Sequence, residues 1–210
     1  MKKIIFLIAA LSVCFFGRSN ACTHCDSSFN FGFSGSVGLT RFDSVYQNDG
    51  QSVLGRLSLN SQYALSDFLA LGIDLGVQNG NTMRLSISKE TLDLLGGEPV
   101  SINVKPMVDL LLTAQIIPFE DGGFFGFVKG GLAYRQAQVD RNEVNDLSKF
   151  SPELQAGFGY KINDNLAIHL AFQQVFGGNP DYKVNPITER ATITNIPSQK
   201  AVLLGLSLII

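Results

Sequence analysis

From Phe29 to the C-terminus the chain alternates apolar and polar or small residues with a period of two, the signature of strands whose two faces meet different surroundings. In the clearest stretch, Phe68–Gln78, Leu69, Leu71, Ile73, Leu75 and Val77 share one face, while Ala70, Gly72, Asp74, Gly76 and Gln78 share the other. The pattern recurs over Phe29–Thr40, Val53–Ala64, Val100–Ile117, Phe124–Gln138, Pro152–Ile162, Leu166–Val175 and Lys200–Ile210. In Val100–Ile117 the expected apolar face runs Ile102, Val104, Val108, Leu110, Leu112, Ala114 and Ile116. Eight strands are therefore expected.

The second face carries Arg56, Asn60, Gln62, Asp74, Asn103, Lys105, Asp109, Gln115, Lys129, Arg135, Glu153, Gln155, Lys161, His169 and Gln173, interleaved with glycine. Such a face suits the interior of a membrane barrel, and equally the solvent side of a sandwich. The connections separate the two. They run long (41–52), short (65–67), long (79–99), short (118–123), long (139–151), short (163–165), long (176–199). A strict long–short alternation is what an up-and-down barrel produces, with short turns on one side of a membrane and long loops on the other. Tyr63 and Phe68 beside the first short turn, Phe119 and Phe124 beside the second, and Tyr160 before the third fit an interfacial aromatic girdle. The expected fold is all-β: an eight-stranded antiparallel up-and-down transmembrane β-barrel over residues 29–210.

Composition narrows the setting. The 210 residues are 45% hydrophobic and 16% charged, with a formal net charge of −2, 21 Gly and 16 Phe. That is too apolar for disorder and offers no basic surface for nucleic acid. Met1-Lys2-Lys3, the apolar run Ile4–Phe16 and Ser19-Asn20-Ala21 form a secretory signal peptide over residues 1–21, cleaved after Ala21. Cleavage removes Lys2, Lys3 and Arg18 and no acid, taking the formal charge from −2 to −5. Residues 22–28 then form a short periplasmic N-terminal segment. Cys22 and Cys25, in Cys22-Thr23-His24-Cys25, are candidates for a local disulfide in an oxidising compartment. Lipidation of Cys22 and a metal site with His24 are the alternatives; Ser19 stands where lipidation favours an aliphatic residue, and no fourth ligand lies nearby. No metal and no cofactor is expected.

Phe127–Tyr134 (FVKGGLAY), Leu154–Tyr160 (LQAGFGY) and Ala201–Leu208 (AVLLGLSL) resemble strands of the small outer-membrane β-barrel superfamily. That group includes the transmembrane domain of outer-membrane protein A and the opacity-like surface antigens. The resemblance implies residence in the bacterial outer membrane, contact with its lipid, and insertion by the barrel-assembly machinery.

Candidate chemistry is sparse. His169 has Leu170, Ala171, Phe172 and Gln173 as chain neighbours and no adjacent serine, which favours a packing histidine over the base of a lumenal lipase or deacylase. Arg56, Asp74, Asp109, Lys129, Arg135 and Glu153 are expected to meet in the lumen as a charge network, because an unpaired charge there costs several kcal/mol, on the order of the desolvation penalty for a buried ion. The interior of an eight-stranded barrel is just wide enough for side chains to fill, which favours a plug over a gate. In the longest connections, Lys89–Leu95 before Gly96-Gly97 suggests a short helix with a glycine stop. The expected function is non-enzymatic: structural, or surface interaction with a host-surface or other extracellular ligand through four loops. The alternative is a narrow channel for small or hydrophobic solutes.

Overall fold

The computed structural model describes residues 29–46, 49–66, 68–86, 89–94, 97, 100–118, 123–140, 144–180, 182–185 and 190–210. Residues 1–21, expected to be a signal peptide, residues 22–28 with Cys22 and Cys25, and Phe119 lie outside the described residues.

Eight long strands close on themselves: β1 (Phe29–Phe42), β2 (Gln51–Ser66), β3 (Leu69–Gln78), β6 (Met107–Ile116), β7 (Phe124–Val139), β9 (Leu147–Lys161), β10 (Leu166–Val175) and β13 (Gln199–Ile209). Each pairs antiparallel with the next, and β13 returns to β1 through the register Gly32↔Ile209 to Phe42↔Gln199. The shortest of them has 10 residues, enough for a tilted strand to cross a hydrocarbon core. Short connections gather at one end, the turn end. Longer ones gather at the other, the loop end, where they carry β4 (Asn81–Arg84), α1 (Lys89–Leu94), β5 (Ser101–Val104), β8 (Val144–Asn145), β11 (Tyr182–Asn185) and β12 (Arg190–Ile193).

The outer wall is apolar. Leu57, Leu59, Leu71, Ile73, Leu110, Leu112, Val128, Leu204 and Leu206 are all exposed, while their chain neighbours face in. At the turn end Phe29 and Phe31 join Tyr63, Phe68, Phe124 and Tyr160 in an exposed aromatic ring, with Phe29 opposite Tyr63 and Phe124 opposite Tyr160. A continuous band of this kind is stable against lipid and unstable against water. Adjacent leucines test that placement. Leu111 is 0% exposed and Leu112 68%. Leu112→Arg is expected to lower the stability of the barrel refolded in lipid vesicles by about 2–4 kcal/mol, the range for arginine at a bilayer midplane, measured by urea titration. On a water-facing strand the same change would be nearly neutral.

Two elements depart from the sequence expectation. Val100–Ile117 is not one strand with one apolar face. It breaks at Lys105-Pro106 into β5 and β6, and the phase flips there: Ile102 and Val104 are buried, whereas Val108, Leu110 and Leu112 face out. Proline has no N–H to give a ladder, and a slip of one position sends every side chain to the other face. The 139–151 loop is shorter than its polar sequence suggests, because β9 starts at Leu147 and pairs as far as Ala137↔Leu147.

The flip has a use. Ile102 and Val104 join Phe42, Met83, Leu85, Val100, Ala137, Val139, Val144, Ile193 and Ile196 in an apolar cluster at the loop end, with Val45 and Leu147 against it. Over it lies a small sheet of β11, β12 and β8, with β12 parallel to β8. The long connections thus have a hydrophobic core of their own, and it caps the barrel.

Candidate functional site

The middle of the lumen is set by β2, β3, β6 and β7, whose inward positions place four charges at one level. Arg56 stands between two acids: its Nη2 donates to Asp74 Oδ1 at 2.5 Å and to Asp109 Oδ1 at 2.5 Å, and its Nε donates to Asp109 Oδ2 at 3.2 Å. Lys129 Nζ reaches Asp74 Oδ2 at 2.6 Å. Ser58 donates to the same oxygen at 3.2 Å and lies 2.7 Å from Ser34 Oγ. Two cations face two anions, so the cluster is neutral, and the side chains of both acids are 0% exposed. Low dielectric makes such a set rigid, since releasing any one member strands a charge. Gly76 lies inward on β3 between Asp74 and Gln78, and the Arg56 guanidinium fills the place its Cβ would take.

The other two expected members stand apart. Glu153 Oε1 accepts from Gln155 Nε2 and Gln173 Nε2, each at 2.7 Å, and Gln173 Nε2 also donates to Gln78 Oε1 at 2.9 Å. Its Oε2 is buried without a partner. Arg135 lies higher, against the cap: Nη1 donates to Pro197 O at 2.9 Å, the guanidinium carbon sits 5.7 Å from the Phe42 ring, and Nε and Nη2 have no partner. The six charges therefore form a four-membered cluster and two separate residues held by amides and a carbonyl.

Towards the turn end the lumen holds residues that periodicity did not single out. Phe125 and Phe127 face inward opposite Gly159 and Gly157, and their rings occupy the space those glycines leave. Phe127 meets His169 edge-on at 5.9 Å. His169 Nδ1 lies 3.2 Å from Ser207 Oγ, a serine delivered by β13 across the Ala167↔Ser207 and His169↔Gly205 register. Chain neighbours alone missed it, because the contact spans two strands 38 residues apart. No cluster of three His, Cys, Asp or Glu able to hold a metal occurs among the described residues.

At the loop end Asp49 clasps Arg84 in a fork, with Nε to Oδ2 at 2.5 Å and Nη2 to Oδ1 at 3.0 Å. Tyr46 lies under the guanidinium at 4.9 Å and its N–H donates to Arg84 O at 2.9 Å. The Arg84 hydrogen bonds hold the Asp49 carboxyl below its usual range. A lowered carboxyl stabilises the clasp fully above its unfolded value and loses that contribution as pH falls through the folded one. In an NMR titration Asp49 is expected to protonate below the ordinary midpoint of about 3.9, and Arg84→Gln to return it there. An unchanged midpoint in that variant would show that the fork does not hold the charge.

No protein-family model and no curated protein sequence matches this chain. Solved structures do. The outer membrane protein OprG from Pseudomonas aeruginosa is 13% identical, with 87% of this chain and 94% of that chain covered and a TM-score of 0.51. Ail, the attachment invasion locus protein of Yersinia pestis, is 11% identical, over 87% of this chain and 97% of that chain, with a TM-score of 0.48. A major outer membrane protein from Thermus thermophilus is 13% identical, over 87% of this chain and all 100% of that chain, with a TM-score of 0.47. Taken with its own closed register, the likeness to OprG gives this chain the fold of the small eight-stranded outer-membrane β-barrels.

Proposed function

We propose that this chain is a non-enzymatic barrel of the bacterial outer membrane, exported by a signal peptide cleaved after Ala21, with its turn end in the periplasm and its loop end outside. Its role is structural or adhesive: an occluded barrel holding a loop cap with its own apolar core towards an external surface or ligand. One observation supports this above the rest. The interior is filled at two levels, by the neutral Arg56–Asp74–Asp109–Lys129 cluster and by the apolar cap. His169 and Ser207 are read as packing partners across Gly205, since His169 Nε2 covers that glycine.

Planar-bilayer recording tests the reading. The purified barrel is expected to insert without steady single-channel current. Steady currents from the unaltered chain, reduced by Lys129→Ala, would replace the plug with a conducting path.

A second reading, sideways passage of a small hydrophobic solute, has one feature in its favour. Among the described residues β4 pairs with β5 and not with β2, so the wall is unladdered between β2 and β4 above Asn79. Asn79 closes the lower edge, accepting from Gly55 N at 2.7 Å and donating to Val53 O at 3.2 Å. Facilitated entry of a fluorescent hydrophobe into liposomes carrying a barrel that stays silent electrically would favour this route.

A further inference from the structure

At the loop end of the outer wall the apolar band stops at a defined row. Gln51, Arg41, Lys200 and Gln174 stand directly opposite one another on β2, β1, β13 and β10, all facing out. Two positions below, about 7 Å along the strands, the row is Val53, Leu39, Val202 and Phe172. All of these residues but Gln174 line a depression of about 490 Å³. Arg41 and Lys200 form a directly opposed cross-strand pair, a placement that is destabilising for like charges unless an anion lies between them. Asp43 answers only one of them: its Oδ2 lies 3.0 Å from Lys200 Nζ. Among the described residues Arg41 has no hydrogen-bond or ion-pair partner for its five-donor fork.

Directly below runs a furrow. Gly55 and Gly35 face out on diagonal positions of β2 and β1, and with Val37, Leu57, Leu204 and Leu206 they border an apolar hollow of about 760 Å³. Packing does not demand these glycines. A Cβ on Gly55 would find only Asn79 Oδ1, at 3.9 Å, and one on Gly35 only Leu57 Cδ2, at 3.5 Å. The wall thus offers an open apolar furrow beneath a pair of cations at the level where the band ends.

We infer that this face is a binding site for a phosphorylated lipid of the outer leaflet, with its phosphate between Arg41 and Lys200 and an acyl chain in the furrow over Gly55 and Gly35. Guanidinium binds a phosphate through paired N–H donors, and the ammonium adds a point charge. The apolar row and the furrow make the ligand a lipid and not a free anion. The inference rests on the outer-membrane orientation proposed above.

The barrel, refolded into phosphatidylcholine nanodiscs, is titrated with diphosphoryl lipid A, with the same lipid stripped of phosphate, and with inorganic phosphate as competitor; retention is read by native mass spectrometry. The phosphorylated lipid is expected to be held about tenfold more tightly than the stripped one, the scale of one charge-assisted hydrogen bond. Arg41→Glu should abolish that preference while pairing with Lys200 across the strands, so that heat-modifiable migration on a gel stays intact. Gly55→Leu, which fills the furrow, should weaken retention with both cations in place, and Lys89→Gln on the distant loop helix should change nothing. Equal retention of the stripped lipid, full retention by Arg41→Glu, or complete displacement by inorganic phosphate would each overturn the site. A chain that did not insert into the bilayer would overturn the membrane reading itself, and the site with it.

Discussion

Arg56→Met is expected to remove about 3–5 kcal/mol of stability, the range for breaking a buried ion pair from one side. The geometry says why this residue leads its cluster. Arg56 is the cation that touches both carboxylates, and Asp109 receives its ion-pair contacts from Arg56 and from no other described residue. Without it the balance falls from neutral to minus one, and Asp109 is left as an anion with no exposure to water. Lys129→Met should cost less, since Asp74 keeps Arg56 and Ser58. The measurement is urea unfolding of the barrel in lipid vesicles, followed by loss of the heat-modifiable form. Arg56→Met with Asp109→Asn should recover part of the loss, because the second change removes the stranded charge. If Arg56→Met unfolds at the same urea concentration as the parent chain, the cluster is a bystander and the lumen is wet enough to solvate it.

Much of the barrel was legible because one rule governs it. A wall between lipid and a narrow lumen forces every second residue to be apolar, so Leu69 to Val77 announces both the strand and its orientation. Alternating connection lengths then give the topology. Departures came where that rule is suspended. At the loop end β5 keeps the period of two but in the opposite phase, with Ile102 and Val104 buried in the cap and Asn103 exposed, so that in sequence Ile102 and Val104 look like a continuation of the lipid face. Pro106 was the available signal for the break, and period counting passed over it. Phe125 and Phe127 stayed hidden for a related reason: an aromatic residue suits the outer wall by composition, and what admits these two to the lumen is a pair of glycines, Gly157 and Gly159, on the neighbouring strand.

The lumenal charges were legible as a set and not as a network. Inward parity identifies Arg56, Asp74, Asp109, Lys129, Arg135 and Glu153 from the sequence, but height along the barrel depends on strand stagger, which one chain of letters does not display. The register supplies it. Asp109 lies opposite Gly76, so its carboxylate falls beside the one Arg56 already holds, whereas Arg135 is carried up to the cap. His169 met its serine in the same way, through pairing and not through proximity in the chain.

Gly76→Val should test that stagger directly, and its effect should rival that of Arg56→Met. Gly76 sits in extended strand, where glycine is ordinarily a loss of about 0.5–1 kcal/mol against alanine. No positive φ requires it. What requires it is the guanidinium: a Cβ there would overlap Arg56 Nη2 and stand 2.6 Å from both Arg56 Cζ and Asp109 Oδ1. Overpacking alone costs about 1–3 kcal/mol. Pushing Arg56 off its carboxylates adds the loss of the ion pairs, so the total approaches the about 3–5 kcal/mol expected for removing the arginine. The penalty belongs to the contact, which makes it non-additive: in the Arg56→Met background, Gly76→Val should cost less by about 0.5–3 kcal/mol, the range of coupling between touching residues. Gly55→Ala, on the outward face of the neighbouring strand with open space before it, should change stability by no more than about 0.5–1 kcal/mol, the gain from replacing a strand glycine, and equally in both backgrounds. Additive losses at positions 56 and 76 would mean that the guanidinium does not lie over β3, and the cluster would have to be redrawn.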